Sequence, residues 1–420
     1  MNESREIKGI WFLPETAEIG IAGALTYEPG EKICLELIGD LKNRTEFHEY
    51  FEESGSLSVI FGISTEGTKV SLFECYESFT VRTNSIPVTR YSASTFIEGK
   101  HLNSQQDALF DRIEVNIVQL LRWLGKDAYE MKRNEINPKF YHTSIEYSPD
   151  HGFNTKIQIE DGFELELNVT ALAKRSMENC QIDNLATVSI NYDTALSIWE
   201  LVERMNVFRT FLSLGLLQAA PYSYIKLWEK ETGEVLRYTF LERGEKYEIK
   251  NKAFLYNYER IEAKLPELLK SWYNSTEDMF PIRVHLLSAI LPKPTFHSTD
   301  FMIIAFALEG FYHRFLKVNG SRTGNLTGAI GNVLRIFKEL SFIKNISVRP
   351  DQVNDTRNYY AHLYSKDPNK DIVKGIELFK LSEKLKVLLV LSMLKQMGLE
   401  IADIEEWVPH SDLLKTVKSF

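Results

Sequence analysis

The hydrophobic pattern of this 420-residue chain changes period once, and that change constrains the fold more than any other feature. Over the first 115 residues, short apolar or alternating runs recur at Ile10 to Pro14, Ile19 to Tyr27, Ile33 to Ile38, Leu57 to Ile63 and Val70 to Cys75. Turn-forming stretches such as Glu28-Pro29-Gly30-Glu31 and Ser64-Thr65-Glu66-Gly67-Thr68 separate them. Alternation with period two buries one face of a strand, and short strands at this spacing predict an antiparallel sandwich or barrel. A short helix is expected at Val118 to Leu124. Hairpins are expected over Lys156 to Leu167 and Tyr224 to Phe240, with a helix from Asp193 to Leu214 between them. From about residue 252 the period becomes helical, with helices expected near 252–272, 297–318, 325–343, 350–364, 369–397 and 400–418.

The expected fold class is therefore α+β. A β-rich region over 1–270, either one domain or lobes at 1–130 and 131–270, precedes an all-α helical bundle over 280–420. The apolar stretch Ile372 to Met397 is expected to be the spine of that bundle.

Composition narrows the class. With 44% hydrophobic and 25% charged residues the chain can bury ordinary cores. No uncharged apolar run reaches the length of about 18 residues that a membrane span needs. The start, Met1-Asn2-Glu3-Ser4-Arg5-Glu6-Ile7-Lys8, lacks the basic-then-apolar layout of a signal peptide. Three distant cysteines, Cys34, Cys75 and Cys180, suit a reducing compartment better than a disulfide framework, so a cytoplasmic protein is expected. The net charge of −9 is uneven: residues 281–420 carry 19 basic and 14 acidic side chains, and residues 1–280 carry 30 and 44. The helical segment is thus the basic one, as a phosphate-handling domain would be.

Phosphate-loop, dinucleotide-binding, nucleophile-elbow and H-E-x-x-H signatures are all absent from the sequence. His142 and His151, with Glu146 and Asp150 between them, form a weak metal-like cluster, for which a solvated loop is the commoner explanation. Trp11 and Trp123 are expected to anchor cores. Glu309 and His313 lie four residues apart on an expected helix, a spacing commoner for a surface pair than for a site.

The remaining candidate is Arg357-Asn358-Tyr359-Tyr360-Ala361-His362. Among 19 arginines and 9 histidines, about 0.4 such R-x4-H pairs arise by chance, so the surroundings must decide. With Arg357 set at 0° on a helical wheel, Ala361, Asn354, Asn358 and His362 fall at about 40°, 60°, 100° and 140°. Val353, Tyr360 and Tyr364 fall at about 300–340°, and Tyr359 and Leu363 at about 200–240°. One arc thus gathers Arg357, Asn354, Asn358 and His362 around a small alanine. Pro350 suits the first helical position, the Ser347 region offers a cap, and Ser365-Lys366-Asp367-Pro368-Asn369 ends the helix. A histidine can move the proton of a ribose 2′-hydroxyl, and a guanidinium can hold a phosphate as it becomes pentacovalent. A solvated polar face that happens to hold both residues is the competing reading.

The C-terminal string Asp355-Thr356-Arg357-Asn358-Tyr359-Tyr360-Ala361-His362-Leu363 resembles the ApeA-like branch of the HEPN family, whose nucleolytic members carry R-x4-6-H with a polar residue after the arginine. Asn358 occupies that polar position. Gly9-Ile10-Trp11-Phe12-Leu13-Pro14, Ile21-Ala22-Gly23-Ala24-Leu25 and Leu35-Glu36-Leu37-Ile38-Gly39 are similar to the start of the ApeA N-terminal domain. The resemblance implies an anti-phage defence effector and a metal-independent endoribonuclease with no cofactor. Its composite site would form in a homodimer or higher even oligomer, with Arg357, His362 and Asn358 catalytic and Asn354 and Tyr359 touching RNA, tRNA among the candidates. The products would carry 2′,3′-cyclic phosphate and 5′-hydroxyl ends. The N-terminal region would restrain the enzyme until a phage-derived signal, which the sequence does not name, is sensed. A catalytically inactive HEPN-fold adaptor for RNA or protein is the alternative, and a ligand-binding β-sandwich with a helical dimerisation module is a third.

Overall fold

In the barrel strand Lys32–Ile38, Ile33, Leu35 and Leu37 point inward and are buried while their neighbours face out, the period-two pattern expected of a half-buried strand. The computed structural model describes the chain apart from residues 1–3, 43–54, 82–86, 107, 138–139, 148–151, 242–252, 291–297, 317–324 and 364–368. It divides into two compact units. One holds Met1–Leu121, Lys126–Met205 and Pro221–Glu248, and the other holds Arg122–Gly125, Asn206–Ala220 and Ile249–Phe420.

The first unit is built on a 13-stranded antiparallel sheet. Its strands begin with β1 (Arg5–Phe12), β2 (Ile21–Glu28), β3 (Lys32–Ile38), β4 (Ser56–Ser64), β5 (Lys69–Val81) and β6 (Val88–Ser92). The order β5-β4-β1-β2-β3-β6 closes because β5 also pairs with β6, giving a six-stranded barrel. Closure removes the exposed edges that an open sheet would present. Trp11, Leu25, Leu35, Ile60, Leu72 and Tyr91 fill the interior. Gly62 is required there: a Cβ at that position would lie 2.4 Å from the ring of Trp11.

Strand β5 serves two neighbours along one edge. Val70–Phe73 pair with β7 (Thr95–Glu98), and the segment from Tyr76 pairs with β6. Glu74, between the two, takes the left-handed conformation at φ 54°, a strained choice for a residue with a side chain. Through β7 the sheet continues into β8 (Phe110–Ile117), β11 (Phe153–Glu160), β12 (Phe163–Arg175), β13 (Cys180–Leu196), β14 (Tyr222–Glu229) and β15 (Val235–Phe240), in the order β7-β15-β14-β8-β13-β12-β11. Strands on both sides of residue 130 therefore belong to one sheet. A separate hairpin, β9 (Tyr129–Asn137) and β10 (Phe140–Tyr147), lies in the stretch where no strand was expected.

Short helix α1 (Leu120–Leu124) falls where the sequence puts it. Helix α2 is Ile198–Leu216 rather than 193–214, because β13 runs on to Leu196 before the helix starts. Its second half, from Asn206, belongs to the helical unit. That unit continues with α3 (Tyr258–Ile261), α4 (Leu265–Asn274), α5 (Thr276–Ile290), α6 (Ser298–Phe311), α7 (Leu326–Ile336), α8 (Pro350–His362), α9 (Gly375–Met397), α10 (Ile401–Trp407) and α11 (Asp412–Lys418). Helix α5 was not expected. It contains Pro281, which removes one backbone donor without ending the helix.

Helix α9 is the spine of the unit, with Leu385, Leu388, Leu389, Leu391 and Leu394 fully buried. Its buried Ser382 and Ser392 hydroxyls donate to the carbonyls of Leu378 and Leu388, each at 2.8 Å, so neither is left unpaired. The buried aromatics are satisfied in the same way. The indoles of Trp123 and Trp272 donate to Tyr256 O at 3.1 Å and Val207 O at 2.9 Å, and the Tyr256 hydroxyl donates to Phe211 O at 2.7 Å. Among the described residues no helix is long and apolar enough to cross a membrane.

Candidate active site

Helix α8 carries the R-x4-H pair, and its three faces have different surroundings. Val353 and Thr356 are fully buried and anchor it. Thr356 Oγ1 accepts a hydrogen bond from the Val373 amide at 3.1 Å, tying the helix to the segment that leads into α9. Pro350 takes the first helical position as expected, but the cap does not come from Ser347. The cap residue is Arg349, with no side-chain cap bond, while the Ser347 carbonyl accepts from Lys384 at 3.1 Å. The helix ends at His362 rather than 364: Leu363 turns left-handed at φ 52° and is 86% exposed, and Tyr364 lies outside the described residues.

The polar arc lies on the accessible side. Asn354 and Asn358 are half-buried, Ala361 and His362 are exposed, and Arg357 sits at the border with the core. Arg357 and His362 are five residues apart, so about 7.5 Å along the axis and about 140° around it. Arg357 has a partner the sequence reading did not assign to it: its Nη2 donates to both carboxylate oxygens of Glu309 on α6, each at 3.4 Å. The two side chains are 17% and 21% exposed, and Nε of Arg357 is buried without a hydrogen-bond partner. Among the described residues the guanidinium is therefore held from the Glu309 side alone. Glu309 is the one carboxylate in the otherwise apolar sequence from Phe301 to Phe311, which is the signal that could have singled it out. His313 stands apart from that pairing, exposed in the π-helical turn Tyr312–Leu316.

Tyr359 does not join the arc. It sits about 200° around the helix from Arg357, where its hydroxyl accepts from Lys374 Nζ at 2.8 Å and its ring lies 4.4 Å beneath that ammonium. Tyr360 packs edge-on against it at 5.0 Å, and burial pushes the Tyr360 phenol up from its ordinary value.

Of the suggested metal cluster, Asp150 and His151 lie outside the described residues, as does the side chain of His142; Glu146 pairs with Lys132 at 2.7 Å. No group of three or more His, Cys, Asp or Glu side chains is placed to hold a metal among the described residues. Trp11 and Trp123 are both fully buried.

The chain thus combines a β-rich unit, built on a barrel within a long antiparallel sheet, with a helical unit whose polar arc carries R-x4-H. Residues 6–272 match the family model described as ApeA N-terminal domain 1, and residues 305–402 match the one described as Apea-like HEPN. The first match spans more than half of the chain, and the chain belongs to the ApeA family. These two domains support an anti-phage defence effector, and HEPN domains are generally ribonucleases. No curated protein and no solved structure matches the chain.

Proposed function

We propose that this protein is a metal-independent endoribonuclease of anti-phage defence. It cleaves RNA by attack of a ribose 2′-hydroxyl at a composite site between two copies of α8. The observation that carries this reading is the accessible arc of Arg357, Asn358 and His362 inside the segment that matches the ApeA-like HEPN family. One His362 takes the 2′-hydroxyl proton as that oxygen attacks phosphorus. The His362 of the second copy returns a proton to the departing 5′-oxygen. This leaves a 2′,3′-cyclic phosphate and a 5′-hydroxyl. Arg357 stabilises the charge that builds on the phosphoryl oxygens, Asn358 hydrogen-bonds His362 or a phosphate oxygen, and Asn354 and Tyr359 contribute to RNA binding. Glu309 acts through Arg357, holding its guanidinium in place.

The acidic N-terminal region restrains the enzyme until a product of infection is sensed. The support for this is the opposition between 44 acidic and 30 basic side chains over residues 1–280 and the basic excess of residues 281–420. Neutralising exposed carboxylates of that region in the full-length chain should raise cleavage if that restraint exists.

The direct test uses purified wild type, Arg357→Ala and His362→Ala on labelled total tRNA in the presence of EDTA. Cleavage by wild type alone, with cyclic-phosphate ends, is the expected result. The same three proteins in phage-challenged cells read out a restrained enzyme, with protection lost in both variants. One observation favours a second reading: the pairing of Arg357 with Glu309 is what a structural arginine in an inactive HEPN adaptor would also show. Protection unchanged in both folded variants would select the adaptor.

A further inference from the structure

We propose that the groove where α8 meets the start of α9 binds the phosphate backbone of the RNA strand, at a site separate from the cleavage arc. This rests on the ribonuclease reading above and deepens it. The groove has a volume of about 340 Å³ and is lined by Ser347, Gln352, Asp371, Lys374, Lys380 and Lys384. It lies on the side of α8 that carries Gln352 and Tyr359, about 200–220° around the helix from Arg357.

Its frame is fixed by hydrogen bonds. Arg349 Nη1 and Gln352 Nε2 both donate to Asp371 Oδ2 at 2.7 Å, and Thr356 holds the Val373 amide. The two carboxylates at the groove are each already matched with a cation. Asp371 has Arg349, and Glu377 has Lys380 at 2.8 Å.

Two lysines are left over. Among the described residues, Lys374 and Lys384 hydrogen-bond only to neutral oxygens, the Tyr359 hydroxyl at 2.8 Å and the Ser347 carbonyl at 3.1 Å. Glu377, Lys380, Leu381 and Lys384 follow the i, i+3, i+4, i+7 spacing of one helical stripe, so Lys380 and Lys384 present their ammonium groups along the same wall. An ammonium acts on a phosphodiester as a point charge, without reading base edges. The groove therefore recognises the backbone rather than the sequence. Tyr359 acts here as a positioning residue that holds Lys374.

The test measures binding, so that turnover does not enter it. The full-length chain carrying His362→Ala is compared with the same chain carrying in addition Lys374→Gln and Lys384→Gln. Both are titrated with a labelled single-stranded RNA between 50 and 200 mM salt. Each lost phosphate contact lowers the slope of log K against log salt by about 0.7, so the double substitution should lower it by about 1.4. At 0.1 M salt that corresponds to roughly twenty-fold weaker binding. A DNA strand of the same sequence should lose as much, because backbone contacts ignore the 2′-hydroxyl. Lys374→Arg with Lys384→Arg should restore the slope, which separates lost charge from lost fold.

An unchanged slope would overturn the groove while leaving any cleavage by wild type standing. A lowered slope, with no cleavage by the chain that retains His362 and with protection in phage-challenged cells unchanged by Arg357→Ala and His362→Ala, would keep the groove and overturn the nuclease. Inorganic phosphate that saturates the groove at micromolar concentration, with the RNA slope unchanged, would assign it to a small phosphate ligand and refute the strand. A wild-type chain that binds no RNA would overturn both.

Discussion

Replacing Glu309 with glutamine tests whether Arg357 is held in place by a charge on the neighbouring helix. The carboxylate and guanidinium approach to 3.4 Å, with 21% and 17% of their side chains exposed. At the effective dielectric of a near-surface pair, the gross attraction is roughly 5 kcal/mol. Desolvation cancels most of it. Exposed pairs contribute about 0–1 kcal/mol, and removing one partner of a fully buried pair costs about 3–5 kcal/mol. This pair lies between those limits, so about 2 kcal/mol is expected for Glu309→Ala. Glutamine keeps the shape and one acceptor oxygen, which lowers the expected loss to about 1 kcal/mol.

That loss should appear as a fall of about 2–4 °C in the thermal unfolding of the helical unit. Loosening the arginine by the same amount should slow cleavage about fivefold, in kcat more than in KM. A double-mutant cycle with Arg357→Ala isolates the pair, with an expected coupling of about 1 kcal/mol. The reasoning is refuted if the two substitutions are additive in stability, or if Glu309→Gln raises cleavage with unchanged melting. The second outcome would make the carboxylate a restraint on the arginine rather than its support.

Thr356→Val removes the acceptor of the Val373 amide without changing volume, and should cost about 1–2 kcal/mol in a urea titration followed by far-UV circular dichroism. Gly62→Ala forces a methyl to within 2.4 Å of the buried Trp11 ring, so a loss of about 1–3 kcal/mol is expected, with a changed tryptophan signal in near-UV circular dichroism. Tyr192→Phe reads a pH effect. Burial pushes the Tyr192 phenol up to about 12, so its contribution is present in full below pH 10 and is lost as pH rises from 10 toward 12. The phenylalanine variant should unfold less steeply over that window. At pH 7 it should lose no stability, because among the described residues the buried Tyr192 hydroxyl has no hydrogen-bond partner.

The legible part of this fold is the part written in local periodicity. The run Ile33 to Ile38 alternates, and it is a barrel strand with alternate residues buried. Ile372 to Met397 is apolar on a wide face, and the helix from Gly375 is the buried spine. Barrel closure was not legible, since it depends on β5 exchanging one neighbour for another at Glu74, and no local pattern records that exchange. The hairpin β9–β10 and helix α5 escaped for opposite reasons. The first is polar enough to read as loop, with Glu130, Lys132 and Glu146 among its side chains. The second carries a proline that its tertiary surroundings tolerate. At the site, the wheel placed Arg357, Asn354, Asn358 and His362 on one arc, because angle follows from spacing alone. Glu309 lies 48 residues away, so its approach to Arg357 is a product of helix packing that spacing does not contain.

Helix α8 shows how one short element can divide structural and chemical work by angle. Its buried third, Val353 and Thr356, is closed to solvent, so substitutions there act on stability. The arc from Arg357 to His362 faces outward. Its first member is tied to Glu309 on α6, so substitutions at Arg357 act on stability as well as on chemistry. The remaining face leans on Lys374 through Tyr359 and opens onto the basic groove. A strand whose phosphates met both accessible faces would have to wrap the helix, which is about 10–12 Å across. Such a strand would be held at two charged points, the cleavage arc and the groove. That spacing orients a flexible substrate more effectively than one strong contact, because a single point leaves rotation about itself free.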